Sequence, residues 1–177
     1  MEITIRFLDN RFSFENWTAI LTAVTAVMAI VISIITYRSQ VKHNKNSVKP
    51  ILNISVGDYV NEIFIKVKNK GVGPATITLC NCIQSIDNRI RKETAVINYF
   101  DDVHFVWDTF ANDITNLTIA PGGEMVLLRA CIEDTESMNA IRKQLRNIEI
   151  QIEYIDIYNE KMPVARKQLT WFGRTLE

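Results

Sequence analysis

Side chains that commonly do chemistry are scarce in this chain. It has two histidines, His43 and His104, and three cysteines, Cys80, Cys82 and Cys131. No H-E-x-x-H, no G-x-S-x-G and no glycine-rich phosphate loop occurs, so the common hydrolase and nucleotide-binding signatures are missing and no catalytic residue is assigned. Asp101, Asp102 and His104, even with sulfur from Cys80 and Cys82, make no ligand set at a known spacing. No metal and no cofactor is therefore expected. An odd number of cysteines, two of them in a Cys-x-Cys pair with poor disulfide geometry along one strand, suits a reducing compartment. Of that pair, one thiol is expected in the core and one outside. An excess of charge is missing too: 20 Lys and Arg face 20 Asp and Glu, and from Ser47 onward the counts are fifteen and seventeen. Long nucleic acid is not an expected partner. Sequons at Asn16, Asn53 and Asn116 are read as chance, because the first adjoins an apolar run and the others fall in strand-like runs.

Charge is absent altogether from residues 19–37, AILTAVTAVMAIVISIITY, a run flanked by Trp17 and Arg38. At about 1.5 Å per residue it covers roughly 30 Å, the hydrocarbon thickness of a bilayer, with Trp17 and Tyr37 placed as interfacial anchors. The sequence thus predicts a transmembrane helix over residues 18–37. A cleavable signal would need a basic leader and a small-residue cleavage site, whereas Arg6 and Arg11 here are offset by Glu2, Asp9 and Glu15. With no ionisable group inside the run, a proton relay or transport site is not expected.

Orientation follows from the flanks. Arg38, Lys42, Lys45 and Lys49 lie downstream, with no acid before Asp58, against Arg6 and Arg11 upstream. Basic flanks stay cytoplasmic. Residues 1–17 are therefore read as a short segment outside, 38–50 as a basic linker suited to anionic headgroups, and 51–177 as one cytosolic domain. The expected location is a membrane, with the large domain on its cytoplasmic side.

Projected at about 100° per residue, Thr18, Thr22, Thr25, Ala29, Ser33 and Thr36 fall on one stripe of the helix. Leu21, Val24, Val27, Met28, Val31, Ile34 and Ile35 take the other side. Small and hydroxyl side chains let helices approach closely, so the stripe is read as a homo-oligomer seam or the lining of a narrow pore. The alternative is that the hydroxyls bond only their own backbone in a monomeric anchor.

Beyond Pro50, apolar alternation and turn residues predict strands at 51–56, 63–69, 75–86, 90–97, 114–119 and 125–132. The aromatic and aspartate-rich stretch 99–112 gives no clear pattern. A helix capped by Asp134 or Thr135 carries Met138, Ile141 and Leu145, followed by an alternating strand from Ile148 and a last strand over 162–171. Seven or eight mostly antiparallel strands point to a mainly β fold: an immunoglobulin-like sandwich with one inserted helix and no disulfide. Two basic groups, Arg89, Arg91 and Lys92, and Arg142, Lys143 and Arg146, are the candidates for holding a nucleotide or short oligonucleotide.

Three motifs carry a resemblance that covers most of the chain. They are His-Asn-x-x-Ser-Val-x-Pro at 43–50, Asn-x-Gly-x-Gly-Pro-Ala at 69–75 and Tyr-x-Asp-x-Tyr at 154–158. Behind an N-terminal span, this order is similar to a group of small bacterial membrane proteins. That architecture resembles membrane effectors and accessory proteins of antiviral immunity. The resemblance implies an oligomeric effector or sensor, whose cytosolic sandwich binds a ligand or protein signal and whose helices form a pore or disrupt the membrane. A non-conducting tether for a partner-binding sandwich is the alternative. Lipid is the expected partner in both.

Overall fold

The computed structural model describes residues 14–86, 89–100 and 107–174. The sequence readings on Arg6 and Arg11, and on Asp101, Asp102, His104 and Phe105, lie outside them. Two compact units divide the chain, Met1–Asn44 and Lys45–Glu177.

The first unit is dominated by helix α1, Phe14–Ser47. From Trp17 the helix is long and apolar enough to cross a membrane, with a mean hydropathy of 2.5 in its most apolar stretch. Apolar side chains such as Leu21, Val27, Met28 and Ile35 are exposed, which only an apolar surrounding or a partner helix makes favourable. Residues 38–47, read from sequence as linker, continue the helix. They hold Arg, Gln and Lys, which favour helix, and neither Gly nor Pro. Pro50 sets the limit, because it turns Lys49 away from helical backbone.

The second unit is a two-sheet antiparallel sandwich, mainly β and immunoglobulin-like in architecture. In chain order its strands are β1 Leu52–Asp58, β2 Glu62–Asn69, β3 Ala75–Ile86, β4 Arg89–Glu93, β5 Thr109–Phe110, β6 Thr118–Ile119, β7 Glu124–Cys131, β8 Ile148–Ile155 and β9 Ala165–Gln168. One sheet has the order β1-β2-β7-β5 and the other β4-β3-β8-β9, with β6 added to β3. Alternation explains the burial: Ile63, Ile65 and Val67 of β2 face Ile148, Ile150 and Ile152 of β8 across one core. Helix α2, Thr135–Leu145, lies between β7 and β8 in the chain and adds Met138, Ile141 and Leu145 to that core. Asp134 caps it as expected, accepting hydrogen bonds from the backbone N–H of Ser137 at 2.8 Å and Glu136 at 3.4 Å.

Several strands are shorter than the sequence suggested. Residues 90–97 split into β4 and a 3-10 turn, Val96–Tyr99, whose Val96 and Tyr99 are buried. Residues 114–119 give only β6, because Asn116 adopts a positive φ of 64° in the turn before it. The last strand stops at Gln168, and a 3-10 turn over Thr170–Gly173 drives Phe172 into the core. Strand β5, in the stretch without a pattern, pairs Thr109 with Arg129 and Phe110 with Leu128 of β7.

The strand register gathers three segments at one end of the sandwich. Leu52 pairs with Asn69, and Thr76 pairs with Ile155. The chain through Lys45–Pro50, the turn after Asn69 and the turn after Ile155 therefore lie together. A side chain on Gly73 would fall 1.7 Å from the carbonyl oxygen of Val48, and one on Gly71 would fall 2.4 Å from that of Lys49. The glycines are there for close approach. Lys70 N–H donates to the Ile51 carbonyl at 2.8 Å and Val72 N–H to that of Lys49 at 3.3 Å. All three sequence motifs thus meet in one clasp.

Candidate functional site

Three hydroxyls of the stripe on α1 bond within their own helix. Thr22 donates its hydroxyl to the carbonyl of Thr18 at 2.7 Å, Thr25 to that of Thr22 at 2.9 Å and Ser33 to that of Ala29 at 2.7 Å. Each donor is satisfied within the helix, so what the stripe offers a neighbour is small size and acceptor lone pairs. Ala29 and Ser33 leave a shallow notch, flanked by Ile30, Ile34 and Tyr37. Thr18 and Thr36 complete the stripe at either end.

The six basic candidates are separated by their environments. Arg142 is turned inward: its Nη2 and Nε donate to Asp58 Oδ1 at 2.7 and 2.9 Å, its Nη1 to Asn139 Oδ1 at 3.0 Å, and it is 9% exposed. That is a buried structural pair. Arg91 donates to Glu93 at 2.9 Å and to the Asn98 carbonyl at 2.8 Å, with its guanidinium 5.1 Å from the ring centre of Tyr99. Both are committed to the fold. Arg146 remains exposed and lines a surface cavity of about 220 Å³ with Ser85, Asn147, Glu149, Gln168 and Thr170. Lys92 pairs in register with Ile83, which lines that cavity. Arg89 shares the opposite face of β4 with Arg91, by alternation, and Lys143 is exposed on α2. What the structure assembles is thus a cleft with Ile83 and Ile148 in its wall and Arg146 and Glu149 among its polar side chains.

Cys80 and Cys82 are both buried. The expectation of one inside and one outside is wrong, since residues two apart on a strand share a face. Their hydrogen bond holds the Cys80 thiol below its ordinary pKa and, with burial, pushes that of Cys82 up. They border a void for about one water with Ala95 and Ile114. Among the described residues no three metal-ligating side chains come together.

Two polar residues that sequence reading passed over organise the clasp. Asn69 is fully buried; its Oδ1 accepts from Gly71 N–H at 2.9 Å and Ile51 N–H at 3.2 Å, and its Nδ2 donates to the carbonyls of Gly73 at 2.7 Å and Ile119 at 3.1 Å. Asp156, 3% exposed, accepts from Tyr158 N–H at 2.8 Å and Glu160 N–H at 2.9 Å, shaping the turn in which Asn159 takes a φ of 60°. The signal was present: each sits inside a motif, where glycines and tyrosines drew the eye first. Lys45 completes the clasp, paired with Glu160 and 5.3 Å from the ring centre of Tyr158.

A family model described as a domain of unknown function, DUF8453, matches residues 16–171. No curated protein matches the chain.

Proposed function

We propose, for a chain that belongs to the DUF8453 family, the role of a membrane-anchored oligomeric effector or sensor in a bacterial inner membrane. In this reading α1 spans the bilayer with its amino terminus outside, and the cytosolic sandwich receives a ligand or protein signal. Spanning helices of several copies then associate to form a pore or disrupt the membrane, in the setting of antiviral defence. No catalysis is involved.

The observation that supports this most is the continuity of the uncharged stripe along α1. Because the helix runs on past Tyr37, the stripe repeats every eleven residues: Thr18, Ala29, Gln40; Thr22, Ser33, Asn44; Thr25, Thr36. A period of about 3.67 residues per turn keeps such a stripe on one side of a nearly straight helix. Arg38 and Lys42 fall roughly opposite it at about 100° per residue. Copies meeting along the stripe would thus keep these cations apart and turned toward headgroups. For the signal, the cleft lined by Arg146, Ser85, Asn147, Gln168 and Thr170 offers a cation and hydrogen-bonding groups to a phosphorylated small molecule.

The tether reading draws support from one specific finding: the hydroxyls of Thr22, Thr25 and Ser33 are bonded within their own helix, so these three do not demand a partner. Substitution separates the two. Ala29→Leu or Ser33→Leu should abolish cross-linking between copies and any membrane depolarisation on overexpression, whereas Val27→Leu and Val31→Leu should preserve both. Equal behaviour of the two sets leaves only the tether.

A further inference from the structure

We infer that the end of the sandwich formed by the clasp is a lipid-docking surface, seated on anionic headgroups by the Gly71-Val72-Gly73 turn and the Ile157-Tyr158 turn. The inference rests on the reading of α1 as a membrane span. It adds a second contact, made by the soluble unit itself.

The apolar part of the argument is where side chains are left in water. Val72 is 67% exposed at the tip of its turn, Ile157 51%, Ile51 57% and Tyr158 44%. All four belong to the segments that the register brings to one end. Separate turn tips carrying one or two apolar residues each, with a tyrosine among them, suit the boundary between headgroups and acyl chains. They do not build the continuous apolar face that a protein partner would cover.

Charge agrees with this. Lys49, Lys70 and Lys161 are exposed at the same end. The nearby acids are engaged: Asp156 is buried against backbone N–H groups, and Glu160 pairs with Lys45. The outward potential of this end is therefore positive, complementary to an anionic leaflet. The other end is different: Asp58 and Glu62, on either side of its exposed tip Val60, are paired with Arg142 and Arg129, but Glu133, Asp134 and Glu136 follow β7 there and are exposed. An acidic tip is repelled by the surface that attracts the basic one.

Connectivity makes the contact inexpensive. Residues 38–47 continue α1 for ten residues past Tyr37, about 15 Å at 1.5 Å each, before the clasp begins. The clasp thus follows the apolar run by about ten residues of chain. Tethering also raises the local concentration of membrane, so weak contacts suffice.

The test uses the full chain in liposomes. An environment-sensitive dye is attached at Val72→Cys, Ile157→Cys, Val60→Cys or Ile30→Cys in a Cys131→Ser background, the two remaining thiols being buried. Vesicles of phosphatidylcholine alone, or with about one third phosphatidylglycerol, contain brominated lipid as quencher. The expected result is quenching at positions 72 and 157 at least about twofold above that at 60, in the anionic vesicles and lost in Lys49→Glu/Lys70→Glu/Lys161→Glu. Dyes at 72 and 157 as wet as at 60, while position 30 is deeply quenched, overturn the docking surface and leave the span intact. No quenching at 30 removes both. Protection at 72 and 157 that rises with protein concentration and ignores lipid charge overturns it in favour of a second copy.

Discussion

Asn69 shows what one side chain can hold together. All four of its hydrogen-bonding positions are used, on four different backbone groups, with no exposure to water. Asn69→Ala would strand these groups at a buried site, and a loss of roughly 2–4 kcal/mol is expected from the denaturant midpoint. The sequence made the motif visible and gave Gly71 and Gly73 as a turn. It could not show that the turn closes on Val48 and Lys49, because that contact joins segments with no shared pattern. Arg142 failed in the same way. As a late basic residue on a helix it reads as solvated, and nothing local announces Asp58. Tyr99 carries a pH signature. Its hydroxyl donates to the Cys82 carbonyl at 2.6 Å, and burial, with Cys82 and Glu93 nearby, pushes its pKa up to about 12. The folded state therefore keeps the proton more tightly than the unfolded one. Its contribution is fully present below pH 10 and is lost as pH rises through about 12. Tyr99→Phe should flatten that part of the alkaline unfolding curve, and absorbance titration should lack its late phenolate.

Among the elements, those fixed by alternation were legible and those fixed by a distant partner were not. Strand β3 has the bounds its sequence implies, Ala75–Ile86, and α2 starts where Asp134 caps it. Strand β5 and the turn over Val96–Tyr99 take their form from β7 and the core, which no local period encodes. The short β9 has a similar cause, since burying Phe172 ends the strand early. Helix α2 is tied down through the pair of Arg142 and Asp58, whose side chains are 11% and 1% exposed. Arg142→Met would leave the Asp58 carboxylate buried without its cation, and should cost about 3–5 kcal/mol in equilibrium unfolding. Adding Asp58→Leu should restore most of that loss, because both charges are then gone. The Ser137 hydroxyl, with the backbone N–H groups of Ser137 and Glu136, also holds the Asp134 carboxyl below the usual range. Its capping contribution is thus present at neutral pH and fades only as pH falls through that lowered value. Asp134→Asn, which caps without charge, should remove this acid dependence of α2, read by circular dichroism.

For the molecule as a whole, the clasp and the span set what each part needs. The compact unit begins at Lys45, and the backbone of Val48–Pro50 fills the space that Gly71 and Gly73 leave open. A chain cut before Ile51 keeps every strand but empties that space. It should unfold at lower denaturant than a chain cut before Lys45, with the same strand-dominated far-UV spectrum. The proposed orientation rests on charge. Arg38, Lys42, Lys45 and Lys49 follow the apolar run, and no acid offsets them before Asp58. Moving such a flank outward across the bilayer is opposed both by insertion bias and by the anionic inner leaflet. A reporter that works only in the cytoplasm, fused after Glu177, should therefore be active, and one that works only in the periplasm should be silent. The opposite pattern would place the sandwich outside. The lipid-docking end would then face the outer leaflet, and a cytosolic signal could no longer reach the cleft beside Arg146.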